Sequence, residues 1–249
     1  MGSAAPPPEC FIHIPIGAGG GAPLLLALHG FGGSGKDFAQ ALLPLVDARG
    51  WLLVAPTFAY LDLVDPAETQ LDDVTFAHDL RRIISEVGHS EGRALLFGFS
   101  RGASLAQRFA VFFPARVAAV ACFAAGAYTL PQPSFKLGDS GASLPLSLPL
   151  GTSDFEQWFG HPPDAEGLRQ VPFWIGVGED DDDPLTVPSQ YDALLGSTRL
   201  DRAKAFTKAL HAFGARAELA TFPDVAHELT PAAARAAIGF LERWCLPVP

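Results

Sequence analysis

The chain has 249 residues, of which 49% are hydrophobic, and a formal net charge of −10. This size suits one large domain with a well-filled core. The negative charge argues against nucleic acid or an anionic membrane surface as a partner, since both bind basic patches. The three cysteines lie far apart and form no C-x-x-C pair, which argues against a disulfide framework and a cysteine zinc site.

The N-terminus predicts no structured element. Residues 1–9, which include three consecutive prolines, are predicted to be a disordered lead-in, and residues 10–249 a single domain. The N-terminus lacks the basic segment and apolar core of a signal peptide, and no apolar run approaches membrane-spanning length. We therefore expect a cytoplasmic protein. If residues 1–3 replace a removed signal peptide, the protein would instead be secreted.

Apolar runs and amphipathic segments alternate along the chain. The predicted strands span residues 10–16, 24–28, 51–55, 94–98, 117–123, 172–177 and 217–222. The predicted helices span residues 72–87, 199–213 and 231–244, with a further one ending near residue 47 and another carrying Leu105, Phe109 and Phe112. This alternation predicts an α/β fold with a mostly parallel sheet and helices on both faces. Residues 124–171 have no helical period, so we expect a loop-rich insert bordering the active-site cleft rather than a helical lid.

Residues 98–102, with the sequence Gly-Phe-Ser-Arg-Gly, stand between a predicted strand and a predicted helix. This G-x-S-x-G pattern is typical of a nucleophile elbow, in which Ser100 is held in a strained turn above the edge of the sheet. The two glycines allow the strand and the helix to approach closely. The alternative is a glycine-rich turn without a catalytic function. The nucleophile interpretation therefore requires a base and an acid elsewhere in the chain.

The glycine-rich turn at residues 30–36 matches three patterns. A dinucleotide fingerprint requires an acidic residue at the end of the next strand, but residues 54–57 are Val-Ala-Pro-Thr. A P-loop requires Ser or Thr where this chain has Asp37, which would repel phosphate. The third interpretation is an oxyanion loop, in which the backbone amides of Phe31 and Arg101 point at one carbonyl oxygen. Only this one also uses the serine of the elbow; a turn without function is the alternative.

A serine nucleophile needs a histidine base and a carboxylate that orients it. His227 is the one histidine of seven that follows a late predicted strand in a loop, and it is the predicted general base. The preceding strand is followed by five consecutive carboxylates at residues 179–183. We choose Asp181 as the acid, with Asp183 as the alternative. The same loop could be a solvated turn or a weak calcium site, although it lacks the ligand spacing and central glycine of an EF-hand loop.

Four segments carry a family resemblance: residues 29–32, 98–102, 178–181 and 227–228. They stand in the order found in the α/β-hydrolase superfamily, which the chain resembles from about residue 22 to residue 244. Through residues 125–131 and 222–228 it is similar, more narrowly, to bacterial esterases and polyhydroxybutyrate-depolymerase-like hydrolases. The resemblance implies a sheet of eight or slightly fewer strands and ester hydrolysis through an acyl-serine, with no cofactor or metal.

The substrate region is predicted from its aromatic residues. Phe99, Tyr128 and Trp158 are expected to line an open aromatic cleft that admits bulky or polymeric esters, with a short-chain ester as the alternative. The insert aromatics could instead anchor the insert to the core.

The expected function is therefore that of a serine carboxylesterase, in which Ser100 attacks, His227 transfers the proton and Asp181 orients His227. A cofactor-free haloperoxidase or acyltransferase could use the same triad. A non-catalytic ligand-binding protein on a hydrolase fold is the alternative from a different class.

Overall fold

The computed structural model describes residues 7–60, 65–87, 92–137 and 142–245. Its strands are β1 (Glu9–His13), β2 (Leu24–Leu28), β3 (Leu52–Thr57), β4 (Ala94–Phe99), β5 (Val117–Phe123), β6 (Ser134–Leu137), β7 (Ala142–Pro145), β8 (Phe173–Gly178) and β9 (Ala217–Phe222). Its α-helices are α1 (Gly35–Gln40), α2 (Leu43–Asp47), α3 (Pro66–Val87), α4 (Arg101–Phe112), α5 (Phe155–Phe159), α6 (Ala165–Gln170), α7 (Asp192–Leu195), α8 (Arg199–Phe213) and α9 (Pro231–Glu242).

Seven of the described strands form one sheet in the order β1-β3-β2-β4-β5-β8-β9. β1 pairs antiparallel with β3, and all the other neighbours are parallel. The predicted α/β fold with a mostly parallel sheet is confirmed. β4 lies at the centre of the sheet and β9 at one edge. Because β4, β5, β8 and β9 are parallel, the carboxyl ends of β4, β8 and β9 point the same way, and the loops that follow them lie on one side of the sheet.

Helices cover both faces of the sheet, which explains why its inner strands are apolar throughout. In β2, Leu24, Leu26 and Leu28 belong to the core that α3, α4 and α8 cover. Leu25 and Ala27 belong to the opposite core, beneath α1, α2 and α9. Because side chains alternate between the faces of a strand, a strand covered on both sides is a continuous apolar run rather than an alternating one.

Several predicted elements differ in extent: α3 begins at Pro66, six residues before its predicted start, and β3 and α9 end at Thr57 and Glu242 rather than at residues 55 and 244. β1 begins at Glu9, inside the predicted lead-in, and it ends at His13 rather than at residue 16; residues 1–6 of that lead-in lie outside the described residues. The helix expected to end near Asp47 is two short helices, α1 and α2. Pro44 lies in the first turn of α2, where its missing amide hydrogen costs no helical hydrogen bond.

The insert contains the hairpin β6-β7 and the short helices α5 and α6, five and six residues long. Phe155 and Phe159 of α5 pack against Phe112 of α4, with ring centroids 6.0 and 4.8 Å away. These aromatic contacts attach the insert to the helical layer. Among the described helices, none is long and apolar enough to cross a membrane.

Candidate active site

Ser100 stands in the sharp turn between β4 and α4. Its backbone torsions are φ 54° and ψ −117°, a conformation that is strained for a residue with a side chain. Its amide donates a hydrogen bond to the carbonyl oxygen of Phe123 at 2.9 Å, which fixes the turn to the end of β5. The strain and this anchor hold the hydroxyl above the end of the sheet, as in a nucleophile elbow.

The glycines on either side of Ser100 are required by close backbone contacts. A Cβ on Gly98 would lie 2.3 Å from the carbonyl oxygen of Gly102, and a Cβ on Gly102 would lie 2.1 Å from that of Leu28. Neither contact can be relieved by rotating a side chain, because the opposing atoms are backbone. The pattern G-x-S-x-G therefore follows from the close packing of β4, α4 and β2 around the turn.

His227 lies in the loop after β9, and its imidazole bridges two sequence-distant groups. Nδ1 is 2.8 Å from Oδ2 of Asp181, and Nε2 is 2.9 Å from Oγ of Ser100. A carboxylate can only accept, so Nδ1 carries the hydrogen and Nε2 of the neutral ring accepts from the serine hydroxyl. The ring also stacks on Phe99, with centroids 5.2 Å apart and planes 26° apart. The structure thus brings Ser100, His227 and Asp181 into one hydrogen-bonded chain.

Asp181 and Asp183 have different surroundings. Asp181 is 4% exposed and contacts His227. Asp183 is exposed, and its Oδ1 accepts from the amide of Leu185 at 2.9 Å, which caps the following turn. Of the two carboxylates left open by the sequence, the structure brings Asp181 to the histidine. Among the described residues, no group of three or more His, Cys, Asp or Glu side chains is arranged to hold a metal ion.

Arg199, for which the sequence predicts no role, holds the second oxygen of Asp181. Its Nη1 donates to Oδ1 of Asp181 at 2.9 Å and to Oγ1 of Thr186 at 2.7 Å, and its Nη2 donates to the Thr186 carbonyl at 2.8 Å. Both oxygens of Asp181 are therefore occupied by donors, one from Arg199 and one from His227. Arg199 is the first residue of α8, 18 positions after Asp181, and nothing in its sequence context indicates this contact.

The glycine-rich loop after β2 borders Ser100. A Cβ on Gly30 would lie 3.3 Å from Cβ of Ser100, so the loop that carries Phe31 is adjacent to the serine. Arg101 is the first residue of α4, where backbone amides have no intrahelical acceptor. The predicted oxyanion role of the Phe31 and Arg101 amides stays a prediction, with both segments beside Ser100.

His29 fixes the start of this loop. Its Nδ1 is 2.7 Å from the carbonyl oxygen of Gly30, and its Nε2 accepts from the amide of Phe58 at 3.0 Å. Since a carbonyl only accepts, Nδ1 carries the hydrogen and the ring is neutral. Burial lowers the pKa of His29, which is consistent with this neutral structural role.

The three predicted substrate-binding aromatics lie in different places. Phe99 is part-buried beside His227. Tyr128 is fully buried and stacks on Phe206 with centroids 4.3 Å apart. Trp158 is 38% exposed, and its indole nitrogen donates to Asp154 at 3.2 Å. None of the three lines the cavity that opens beside Ser100.

This cavity leaves about 40 Å³ for the centres of water-sized molecules, and its wall exposes more apolar than polar surface. Arg101, Arg108 and Arg199 contribute to its wall, together with the hydroxyl-bearing Ser104 and Tyr191. No Phe or Trp lines it, among the residues that the structure describes. The wall next to the predicted nucleophile thus contains three arginines and several hydroxyl groups, and Tyr191 is the aromatic residue in it among the described residues.

A buried ion-pair network supports one wall of the cavity. Asp73 of α3 accepts from Nη1 of Arg101 at 2.7 Å and from Nη1 of Arg108. Arg108 also donates through Nε to Thr129 at 3.0 Å and through Nη2 to the Tyr191 hydroxyl at 2.7 Å. Buried charges are tolerated when they are paired and hydrogen-bonded in this way.

Comparison with known proteins agrees with this architecture. A family model described as the alpha/beta hydrolase fold matches residues 23–166, more than half of the chain. The chain belongs to the α/β-hydrolase fold family. The predicted resemblance is thereby confirmed, and membership supports a hydrolase. The comparison with curated proteins gives no match.

Solved structures of the same fold cover almost the whole chain. A poly(aspartic acid) hydrolase from Sphingomonas sp. KT-1 is 21% identical, with a TM-score of 0.69 over 97% of this chain and 96% of that one. A poly(3-hydroxybutyrate) depolymerase from Bordetella parapertussis is 21% identical, with a TM-score of 0.66 over 96% and 85%. An acyl-protein thioesterase from Zea mays is 16% identical, with a TM-score of 0.65 over 95% and 98%. At these identities the likeness shows the fold alone.

Proposed function

We propose that this α/β-hydrolase is a serine hydrolase that cleaves carboxylic esters through an acyl-serine intermediate. The observation that carries the proposal is the hydrogen-bonded chain from Ser100 through His227 to Asp181, with links of 2.9 and 2.8 Å. A serine hydroxyl is a weak nucleophile, and an oriented imidazole within hydrogen-bond distance is what activates it. The strained turn at Ser100 supports the same role.

The proposed reaction has two halves. Oγ of Ser100 attacks the ester carbonyl while Nε2 of His227 takes its proton, and the same proton then passes to the departing alcohol as the ester C–O bond breaks. Water next attacks the acyl-serine, again giving a proton to His227, which returns it to Oγ as the acid is released. Asp181 keeps its negative charge and orients the ring throughout. The amides of Phe31 and Arg101 are proposed to stabilise the oxyanion in both halves.

The shape of the site favours a small acyl group. The cavity beside Ser100 leaves only about 40 Å³ for the centres of water-sized molecules, and Tyr128 and Trp158 are not part of its wall. A short-chain ester, which was the alternative substrate predicted from the sequence, is thus favoured over bulky or polymeric esters. Names of structural neighbours include a depolymerase, an esterase and a thioesterase, which agrees with cleavage of an acyl bond.

The test compares p-nitrophenyl acetate, butyrate and octanoate as substrates for the wild type and Ser100→Ala. We expect wild-type hydrolysis to fall with acyl length and to be lost in the variant. An organophosphate inhibitor should add one phosphoryl group to the wild type, at Ser100, and none to the variant, as measured by mass spectrometry. Equal hydrolysis by both proteins would exclude the mechanism, and absence of hydrolysis and labelling in the wild type would favour a ligand-binding role.

A further inference from the structure

The carboxylate of Asp181 must keep one orientation to serve His227. The bond that carries a carboxylate group has a broad, roughly twofold torsional preference, so it does not hold the two oxygens in place by itself. Oδ2 has to stay opposite Nδ1 of His227, where the distance is 2.8 Å, for the ring to keep its position against Ser100. The other oxygen, Oδ1, is therefore the point at which the carboxylate can be fixed.

Arg199 holds that oxygen. Nη1 of Arg199 donates to Oδ1 of Asp181 at 2.9 Å, and the two side chains are 6% and 2% exposed. A charge-assisted hydrogen bond between buried groups is strong, and breaking it leaves uncompensated charge away from water. Rotation of the carboxylate would break this bond together with the one to His227, so Arg199 opposes the rotation.

The guanidinium of Arg199 is itself fixed in its plane. Nη1 also donates to Oγ1 of Thr186 at 2.7 Å, and Nη2 donates to the carbonyl oxygen of Thr186 at 2.8 Å. Thr186 is held in turn, because its hydroxyl donates to the carbonyl oxygen of Asp183 at 3.0 Å. One planar fork thus joins Asp181 to the turn that follows the acidic loop, a geometry that arginine provides and lysine does not.

Helix α8 gives this fork a rigid origin. Arg199 is the first residue of the 15-residue helix, and Oγ1 of Thr198 caps the helix by accepting from the amide of Asp201 at 3.1 Å. Phe206 and Leu210 of the same helix are fully buried in the core. The group that fixes Asp181 is therefore carried by a well-packed element, although Asp181 itself lies in a loop.

The positive charge of Arg199 does not by itself favour the proposed reaction. Proton transfer from Ser100 places a positive charge on the ring of His227. A guanidinium on the far side of Asp181 has the same sign and opposes that charge. Any gain in rate from Arg199 must therefore come from the geometry that its hydrogen bonds impose.

We infer that Arg199 is a positioning residue of the proposed triad, whose planar fork sets the orientation of the Asp181 carboxylate and through it that of the His227 ring. This inference rests on the proposed ester hydrolysis and adds a residue that acts through Asp181. A solely structural ion pair would use the same contacts, but its loss would lower stability without a specific effect on the chemical step. The two roles therefore differ in the response of kcat.

The first test measures kcat and KM for p-nitrophenyl acetate in Arg199→Met and Arg199→Lys, together with unfolding in urea. Loss of a hydrogen bond to a charged group predicts that kcat falls by about 10- to 100-fold in Arg199→Met, with a smaller change in KM. Lysine keeps the charge but replaces the fork by one nitrogen, so Arg199→Lys should also lose at least about threefold in kcat. A smaller loss in Arg199→Lys would overturn the inference, even if Arg199→Met does not fold.

Arg202→Met is the matched control. Arg202 belongs to the same helix, is fully buried, and donates to backbone carbonyl groups that include those of Gly126 and Pro188. Among the described residues it makes no hydrogen bond to the triad. Its loss should lower the free energy of unfolding but keep kcat within about threefold. A kcat loss as large as that of Arg199→Met would show a general effect of removing a buried arginine from α8 and would overturn the inference.

A second measurement separates this inference from the proposed function. The proton on Nδ1 of His227 gives its own NMR signal when its hydrogen bond to Asp181 protects it from water, and loss of that signal in His227→Gln assigns it. Arg199→Lys should shift this signal or speed its exchange with water by at least about tenfold, whether or not the protein hydrolyses esters. An unchanged signal would refute the positioning role. A changed signal in a protein that hydrolyses no ester would exclude the proposed function and support the orientation of Asp181 by Arg199.

Discussion

Replacing Asp181 by Asn should reduce kcat by about 10⁴-fold, the loss typical of a triad whose histidine is held in the wrong tautomer. Both carboxylate oxygens of Asp181 face donors, Nη1 of Arg199 at 2.9 Å and Nδ1 of His227 at 2.8 Å. An Asn side chain has only one acceptor. Because arginine cannot lose its proton, the amide oxygen will face Arg199 and the amide NH₂ will face the imidazole.

The consequence is a change of tautomer at His227. With an NH₂ group opposite, Nδ1 must accept, and the hydrogen moves to Nε2, which then cannot take the proton of Ser100. A 10⁴-fold loss corresponds to about 5.4 kcal/mol of transition-state stabilisation. The size of the substituent is unchanged, so we expect the Asn variant to fold normally by circular dichroism and to keep KM close to the wild-type value.

The assay is steady-state hydrolysis of p-nitrophenyl acetate by Asp181→Asn, with Asp183→Asn as the matched control. Asp183 contacts the amide of Leu185 rather than His227, so its variant should lose less than about threefold. Adding Arg199→Met to Asp181→Asn removes the donor that orients the amide and should recover part of the lost kcat. A larger loss in Asp183→Asn, or near-normal activity of Asp181→Asn, would refute the reasoning.

Three further predictions concern stability. In Gly102→Ala the added Cβ would lie 2.1 Å from the Leu28 carbonyl oxygen, so this variant should lower the free energy of unfolding in urea by about 1–3 kcal/mol. In the control Gly239→Ala the added Cβ has no neighbour within 4 Å, and the free energy of unfolding should not fall. Asp73→Asn leaves buried guanidinium groups without their counter-charge and should cost about 3–5 kcal/mol in the same experiment. The pKa of His29 is lowered by burial, so the unfolded chain binds this proton more readily; the free energy of unfolding should decrease as the pH falls below the ordinary histidine value of 6.5. His29→Gln should show a smaller decrease over that range, and an identical pH dependence would contradict this prediction.

The sheet could be predicted from the sequence because its signal is local. Inner strands such as β2 are covered on both faces and are therefore continuous apolar runs, visible without any partner. Ser100 and His227 could be placed for a related reason, since parallel strands bring the loops at their carboxyl ends to one side of the sheet.

The choice among the carboxylates of the acidic loop depends on register, which the sequence does not reveal. The amides of Glu179 and Asp180 bond to the carbonyl oxygens of Phe222 and Val225, extending the pairing of β8 with β9 into the loops. This pairing carries the chain alongside the His227 loop and leaves Asp181 at the histidine. A sequence pattern does not include those hydrogen bonds and therefore cannot distinguish between five successive acidic residues.

The residues that line the cavity could not be predicted from the sequence, for a different reason. Aromatic side chains in the insert were natural candidates for a cleft, yet Tyr128 is fully buried against Phe206, where its ring removes a large area from water. The arginines in the wall come from two helices and make contacts with residues 13 or more positions away in sequence. Such pairings follow from tertiary packing, and composition or spacing does not indicate them.

The proposed catalysis depends on the local order of β9, because His227 follows this strand. His227 follows this edge strand, which pairs with β8 alone among the described strands and is largely exposed, whereas Ser100 follows the central strand β4. Edges of a fold open at lower free energy than its centre. The proposed ester hydrolysis should thus be lost at a lower urea concentration than the circular dichroism of the core, and its loss would report the fraying of one strand while most of the molecule is still folded.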